Sequence, residues 1–196
     1  MIPENTLSQQ LDESIKAARE GDLAAFEHIV TTFERPLFGY VSRMISVRED
    51  AEDAVQEIFI KVYKKLGTYD AAQSFKTWLY TIATNTVYDF LRARRVKKEL
   101  LIFDESRVDE DGESVQGGQF ETADPSSTYD MIEARFDVAA GLTLVRPAYR
   151  TILLLYYKED LSCEQISAAL GIPVGTVKTN LFRARKALKD ALGTNY

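Results

Sequence analysis

The segment GIPVGTVKTNLFRARKAL, residues 171–188, could bind an anionic polymer, because cations and an aromatic side chain share one face of a predicted helix. The buried stripe of that helix would consist of Val177, Leu181, Ala184 and Leu188. Phe182 then falls on the opposite face, together with Lys178, Arg185, Lys186 and Lys189. Lys and Arg reach phosphates and guanine edges, and an apolar side chain can pack on a thymine methyl. The alternative is that Phe182 packs inside its own domain, beneath Tyr156 or Tyr157.

A preceding helix and a tight turn would position that face. Ser162 and Gln165 are three positions apart and form a capping box that starts one helix. Gly171 can take the left-handed conformation that ends it, and Pro173 can start the next helix. A helix, a tight turn and a cationic second helix form the helix-turn-helix geometry, which places the second helix in the major groove of DNA. Repressors, activators and initiation factors share this motif, so the N-terminal half has to distinguish them.

The rest of the chain also has a helical period, and no strand-like alternation dominates it. The sequence therefore predicts an all-α protein. Residues 8–32 predict two helices that are separated near Gly21 and Asp22. A further helix is expected to start near Pro36.

Two helices around a polar loop complete the N-terminal half. Ser46 and Glu49 predict a second capping box, and Gly67 is expected to end the helix behind it. The apolar stripe of that helix is Ala51, Val55, Ile58, Phe59, Val62 and Leu66. The loop TYDAAQS follows, and a long helix is expected from Phe75 to about Lys98, ending in RARR at residues 92–95. Such a loop beside a cationic helix could hold an unstacked base and nearby phosphates.

The net charge of −6 is unevenly distributed along the chain. Residues 1–95 have a balance of −2, residues 96–130 of −7 and residues 131–196 of +3. The acidic segment 104–127 is rich in Gly and Ser and poor in apolar residues, so it cannot bury enough surface to offset the entropy of ordering. We interpret it as a flexible acidic linker between two folded units, of which the second is basic.

Several other classes of protein and site are disfavoured by composition. No apolar run approaches the ~20 residues that a membrane span needs. The polar first residues lack the basic start and apolar stretch of a secretory signal. With Cys163 as the single cysteine, the chain is expected in a reducing cytoplasm. One Cys and one His, His28, cannot make a conventional zinc site, so no metal or cofactor is expected.

Three segments in this order resemble one bacterial family: EDAEDAVQEIFIKVYKKL, SFKTWLYTIATNTVYDFLRARR and EDLSCEQISAALGIPVGTVKTNLFRARKAL. The chain is similar to the extracytoplasmic-function sigma factors, the fourth group of the sigma-70 family. The resemblance runs from about Ser14 to Leu192. It implies two small helical domains, sigma-two over residues 1–96 and sigma-four over residues 128–196. A flexible acidic linker over residues 97–127 would join them.

The resemblance also implies roles for individual residues. Sigma-two would bind the β′ clamp helices of core RNA polymerase through Glu52, Asp53, Gln56 and Glu57. The same domain would melt the minus-ten element and bind its flipped base and upstream phosphates through Tyr69, Asp70, Gln73, Ser74, Asn85, Arg92 and Arg95. Sigma-four would read the minus-thirty-five duplex with Thr176, Lys178, Thr179, Asn180, Phe182, Arg183, Arg185 and Lys186. Its first helices, including AYRTILLLYY, would dock on the β flap.

Further expectations follow from the same resemblance. An anti-sigma factor is an expected partner, whereas direct membrane contact is not, and the protein is expected to be a monomer outside the holoenzyme. The linker would act either as a tether or as an acidic stand-in for nucleic acid near the polymerase active site. Family members often carry a basic residue in place of Asn180, so this chain would lose a phosphate contact, or Asn180 could pair with adenine.

Two other functions remain as alternatives. A stand-alone helix-turn-helix regulator of the response-regulator type would also carry GTVK after the turn, but it usually has an α/β domain in front, and no strand-like run is present here. An enzyme could use Ser162, Cys163 or His28, but Ser162 is better explained as a helix cap and no phosphate-binding loop is present. The sequence therefore predicts a sigma factor rather than an enzyme.

Overall fold

A computed structural model describes residues 4–101 and 138–193, and all regular structure within those ranges is helical. The prediction of an all-α fold is confirmed. Four helices form the N-terminal unit, namely α1 (Glu4–Arg19), α2 (Leu23–Met44), α3 (Arg48–Lys65) and α4 (Phe75–Leu101). The C-terminal unit contains α5 (138–144), α6 (Pro147–Leu153), α7 (Cys163–Leu170) and α8 (Val174–Ala191). A π-helical turn, Leu154–Lys158, extends α6.

In the N-terminal unit, each helix packs against its neighbour in sequence, and the predicted stripes form the core. Ile29, Leu37, Ile58 and Leu79 are fully buried. Tyr40 and Tyr80 meet edge to face at 5.5 Å between ring centroids, and the Tyr40 hydroxyl lies 3.0 Å from the Thr84 hydroxyl. Burial raises the pKa of both tyrosines above the usual range.

The helix expected to start near Pro36 does not exist as a separate element, and that prediction was wrong. Pro36 lies inside α2, which runs from Leu23 to Met44 without interruption. The proline removes the donor that would bond the Thr32 carbonyl, and Thr32 lies on the exposed side of the helix. Buried Phe33 and Leu37 flank the proline, so core packing keeps the helix continuous.

Two predicted helix boundaries also need correction. The capping box at Ser46 and Glu49 was wrong, because α3 has Val47 at its N-cap and no side-chain cap there. Gly67 lies in a short 3₁₀ turn, Leu66–Thr68, and it has no left-handed conformation. Helix α3 therefore ends near the expected residue, but it ends in a 3₁₀ turn and not at a left-handed glycine. At α2, by contrast, Asp22 is the cap, since its carboxylate accepts from the backbone N–H groups of residues 24 and 25.

The long helix expected from Phe75 to about Lys98 is confirmed as α4, which continues to Leu101. The first five residues of the predicted linker, 97–101, are therefore helical. The acidic segment 104–127 lies outside the described residues, so its role and the domain boundaries stay predictions. Within the two ranges that the structure describes, no helix combines the length and apolarity that a bilayer crossing requires.

Candidate nucleic-acid interface

The prediction for the two faces of α8 is confirmed. Val177, Leu181 and Ala184 are buried against the unit, whereas Phe182 is 66% exposed. The rings of Tyr156 and Tyr157 pack on each other at 4.9 Å, and both tyrosines are exposed. Phe182 therefore does not pack beneath either tyrosine, and that alternative was wrong. A phenylalanine held in water by a fixed helix is available to a partner.

The cations of α8 lie on the same exposed face as this ring. The exposed members of the predicted site are Thr176, Lys178, Thr179, Phe182, Arg183, Arg185 and Lys186, and Asn180 is partly buried. Among the described residues, no carboxylate lies within salt-bridge distance of these four cations. The Thr179 hydroxyl donates to the Gly175 carbonyl at 2.9 Å. The surface can therefore bind an anion without first breaking an internal ion pair.

Helix α7 and the turn before α8 are ordered by side-chain hydrogen bonds and by a left-handed glycine. The predicted capping box is confirmed: the Gln165 N–H donates to the Ser162 hydroxyl at 3.2 Å, and the Ser162 N–H donates to the Gln165 side chain at 2.8 Å. Gly171 ends α7 in the left-handed conformation with φ +66°. The Ser167 hydroxyl donates to the Ile172 carbonyl at 2.6 Å, a contact that no sequence pattern indicated. The capping box orders the start of α7, whereas Gly171 and the Ser167 bond order the turn that leads into α8.

The exposed carboxyl of Glu164, at the start of α7, has a pKa below its usual range. Hydrogen bonding to its own backbone N–H is the largest cause, and the charge of Lys178 contributes. Glu164 is therefore ionised at neutral pH beside one end of the cationic face of α8.

The loop between α3 and α4 is an ordered turn. The Tyr69 hydroxyl donates to the Gln73 carbonyl at 2.7 Å, and the Asp70 carboxylate accepts from the backbone N–H of Ala72 at 2.9 Å. Burial raises the pKa of Tyr69, whose ring packs on those of Phe75 and Trp78 at 5.2 and 5.3 Å between centroids. The Tyr69 side chain is therefore a packed, structural part of the loop. Three side chains of the predicted minus-ten site point outward from it, those of Asp70, Gln73 and Ser74.

The rest of the predicted minus-ten set lies further along α4. Asn85 is exposed, and at seven residues from Trp78 it lies about 10 Å further along the helix. Arg92 is exposed and pairs with Asp89 at 3.2 Å, and Arg95 belongs to the same helix. Arg94, which lies between them in the RARR segment, pairs with Asp50 of α3 at 3.1 Å. The predicted minus-ten residues therefore form two separate groups in the structure, one on the loop and one towards the cationic end of α4.

The acidic face of α3 contains an apolar part that sequence reasoning missed. Asp53 and Gln56 are exposed, Glu52 accepts from Arg48 at 2.8 Å, and Glu57 lies 3.6 Å from Lys61. Two further exposed side chains follow on the same helix, Ile60 and Tyr63, each 46% exposed. Both residues lie outside the predicted core stripe, four and seven positions after Gln56. This spacing places them on the same face of the helix as Gln56, so the sequence could have identified them as part of that face.

The side chains that an enzyme could use have other surroundings in the structure. Across residues 4–101 and 138–193, no group of three or more His, Cys, Asp or Glu side chains is arranged to hold a metal ion. Ser162 is engaged as a cap, and His28 lies 2.8 Å from the Ser14 hydroxyl on an exposed helix surface. Neither forms a nucleophile–base pair with Cys163.

The comparisons with known proteins agree with this geometry. Residues 29–96 match the family model for Sigma-70 region 2, and residues 142–188 match that for Sigma-70, region 4. The chain is similar to the RNA polymerase sigma-H factor of Pseudomonas aeruginosa, at 34% identity over 95% of this chain and 96% of the relative. It is also similar to the ECF RNA polymerase sigma factor SigW of Bacillus subtilis, at 31% identity over 95% and 98%.

A solved structure shares the fold. It is the sigma factor RpoE of Bartonella quintana, solved in complex with the anti-sigma factor NepR, with a TM-score of 0.63 at 24% identity. The match covers 87% of this chain and 98% of that one. The family matches cover most of α8 and the turn before it, as well as α3, most of α4 and the loop between them. The chain therefore belongs to the extracytoplasmic-function sigma factors of the sigma-70 family, which direct promoter-specific transcription by RNA polymerase.

Proposed function

We propose that α8 reads the minus-thirty-five element as duplex, with Phe182 on a base edge and Lys178 and Arg185 on phosphates or guanine. The observation that carries this proposal is the outward Phe182 amid four cations that pair with no carboxylate of the described residues, on a helix that follows an ordered turn. An α-helix fits the major groove, and its cations supply affinity that does not depend on sequence. The aromatic contact would add discrimination at one base pair.

The minus-ten element would be bound as single strand by the loop between α3 and α4 and by the outer face of α4. Asp70, Gln73 and Ser74 project from the loop and offer hydrogen-bond partners for the Watson–Crick edge of a flipped base. The packed rings of Tyr69 and Trp78 make the loop rigid, so a base would enter a preformed site. Asn85 and the cationic end of α4 would bind the adjoining nucleotides and phosphates.

Core RNA polymerase would bind the outer face of α3. Asp53 and Gln56 supply exposed polar groups, and Ile60 and Tyr63 add apolar surface at the next turn. A buried apolar centre with a polar rim is the usual composition of a stable protein interface. The second docking site would be the β flap, on the exposed Tyr156 and its neighbours in the C-terminal unit.

Three further properties belong to the same proposal. The relative from Bartonella quintana was solved with an anti-sigma factor, and we expect an anti-sigma partner for this chain as well. The protein would work in the cytoplasm as a monomer outside the holoenzyme, as an initiation factor and not as an enzyme. Free protein would bind promoter duplex weakly, because a single recognition helix makes few phosphate contacts and because the net charge is −6.

Run-off transcription tests the proposal. Purified protein is mixed with bacterial core polymerase and a promoter library, and the start sites are read by sequencing the RNA. Transcripts from templates that share two motifs at fixed spacing are expected. Asp53→Lys should abolish them, whereas Glu34→Lys, an equal charge change at an exposed site of α2, should not. No transcript from any template, together with tight duplex binding by the free protein, would instead support a stand-alone regulator.

A further inference from the structure

Lys61 lies between the two surfaces that the N-terminal unit offers to its partners. It belongs to α3, one turn after Glu57 of the acidic face. Its amine donates to the hydroxyl of Thr86 in α4 at 3.3 Å, and Thr86 directly follows the exposed Asn85. The Lys61 side chain is 31% exposed, so most of its stem is covered while its charge still meets solvent. One cation therefore borders both the acidic face of α3 and the outer face of α4.

The charge of Lys61 is incompletely neutralised by its own helix. Its carboxylate partner, Glu57, lies 3.6 Å from the amine, beyond hydrogen-bond distance, and is 43% exposed. The Arg48–Glu52 pair has the same four-residue spacing on the same helix, and it closes to 2.8 Å. An exposed ion pair as open as that of Lys61 contributes little to stability. Since an ammonium has three donors, Lys61 can bind a further anion.

A second bridge between α3 and α4 shows a neutralised arrangement for comparison. Arg94 of α4 meets Asp50 of α3 at 3.1 Å, so a cation of one helix contacts a carboxylate of the other. Lys61 differs, because its contact from α4 is the neutral hydroxyl of Thr86. Among the described residues, Glu57 is the one carboxylate within salt-bridge distance of Lys61. On the α4 side, the described residues therefore give this cation no anionic partner.

We propose that Lys61 is a further binding residue of the minus-ten single strand: its amine binds the phosphate beside the nucleotide at Asn85, and Glu57 competes with that phosphate for the amine. This inference rests on the proposed function, in which Asn85 and the cationic end of α4 bind the strand. The Thr86 bond holds the amine next to Asn85. An amine in this position binds the backbone of a strand whose base or sugar contacts Asn85. One anion replaces another at Lys61, so no unpaired charge is left in either state.

This contact would extend the strand-binding surface from α4 onto α3. The surface would run from Arg92, past Asn85 and Lys61, to the loop between the two helices. Arg92 pairs with Asp89 at 3.2 Å, as Lys61 pairs with Glu57. In the free chain, both cations of this path are thus shared with a carboxylate that phosphate has to displace. Removal of the competing carboxylate should therefore strengthen binding of the strand.

Binding of a single strand at several salt concentrations tests the contact. The probe is a fluorescein-labelled strand with the minus-ten motif of a promoter found by run-off transcription, and it is titrated with the full chain. Lys61→Gln should lower affinity and flatten the plot of log K against log salt by about 0.7, the value for one phosphate of a single strand. The advantage of the parent chain should shrink about 2.6-fold between about 50 and 200 mM salt. Lys61→Arg should keep the parent slope, because it keeps the charge.

Arg48→Gln is the matched control for Lys61→Gln. It removes an equal charge from the same helix and from an ion pair of the same spacing. It should leave both the affinity for the strand and the salt slope unchanged. A lower affinity of Lys61→Gln at an unchanged slope would give Lys61 a structural role between α3 and α4, and it would overturn the proposal.

Substitution of Glu57 tests the competition from the other partner. Glu57→Gln should raise affinity for the strand about twofold, which is the usual free energy of such a pair expressed as a ratio. The gain should vanish in the Lys61→Gln background, as a double-mutant cycle measures. Glu49→Gln removes an equal charge at another exposed position of α3 and should give no gain. Equal gains from both glutamate substitutions would overturn the competition.

The outcomes separate this inference from the proposed function. If Lys61→Gln loses helix content by circular dichroism, Glu57→Gln decides, because Glu57 is partly exposed. Strand binding by the parent chain, with the same affinity and slope in Lys61→Gln, would exclude Lys61 and leave the proposed function standing. A parent chain that binds no strand would refute the proposed minus-ten surface together with the Lys61 contact.

Discussion

Phe182 and Leu181 are neighbours on α8, but the first is exposed and the second is buried. Substituting each by alanine therefore distinguishes a role in DNA binding from a role in folding. Leu181 is 5% exposed and Phe182 is 66% exposed. Phe182→Ala should leave the unit as stable as before, because the ring contacts little of its own protein. Leu181→Ala should destabilise it by about 2–5 kcal/mol, the usual range for a buried leucine.

The expected effect of Phe182→Ala on promoter binding follows from the exposed area of the ring. A phenylalanine buries about 150–250 Å² when fully covered, so about 100–150 Å² remains available here. Covering all of it at about 25 cal/mol per Å² would contribute roughly 3 kcal/mol. A groove covers one side of the ring, which leaves about 1.5 kcal/mol, or a loss of affinity of about tenfold.

Two measurements on each variant test this reasoning. Thermal unfolding by circular dichroism gives stability, and titration of the holoenzyme with labelled promoter duplex gives affinity. We expect Leu181→Ala to lower Tm by several degrees and Phe182→Ala to lower affinity at constant Tm. The reasoning fails if Phe182→Ala lowers Tm as much as Leu181→Ala does. It also fails if promoter affinity stays within a factor of about two of the parent value.

Four further predictions concern other parts of the chain. Ser162→Ala should lower stability by about 1 kcal/mol through the lost cap, measured as a lower midpoint in urea. Gly171→Ala should lower it by a comparable amount, about 1 kcal/mol, because alanine is strained at φ +66°. Asn180→Arg should raise promoter affinity and steepen the dependence of log K on log salt by up to about 0.9, measured by titration at several salt concentrations. Ile60→Asp should weaken core polymerase binding in a pull-down at unchanged Tm, whereas the same change at exposed Leu23, outside α3, should not.

The local features of the C-terminal unit were predictable from sequence because each depends on residues close together in the chain. The capping box of Ser162 and Gln165 and the left-handed Gly171 are set by backbone groups within one turn. The outward position of Phe182 follows from the helical period once the apolar stripe is known. Periodicity also predicted α4 to within a few residues at its C-terminal end.

The errors arose where local signals compete with packing. Pro36 looked like a helix start, yet the core contacts of its neighbours hold it inside α2. Ser46 and Glu49 have the right spacing for a cap, but the helix starts one residue later than that cap requires. A proline or a serine has two or more acceptable local conformations, and tertiary contacts select among them.

The sequence by itself determined that the chain is helical, that it ends in a helix-turn-helix with a cationic outer face, and that its motifs are those of a sigma factor. Only the tertiary structure decided that Glu159 is buried between Lys76 and Lys158. Glu159 and Lys76 are 83 positions apart, and no periodicity connects them. Short-range patterns report which side of a helix is apolar, whereas pairing between distant units depends on how whole surfaces fit.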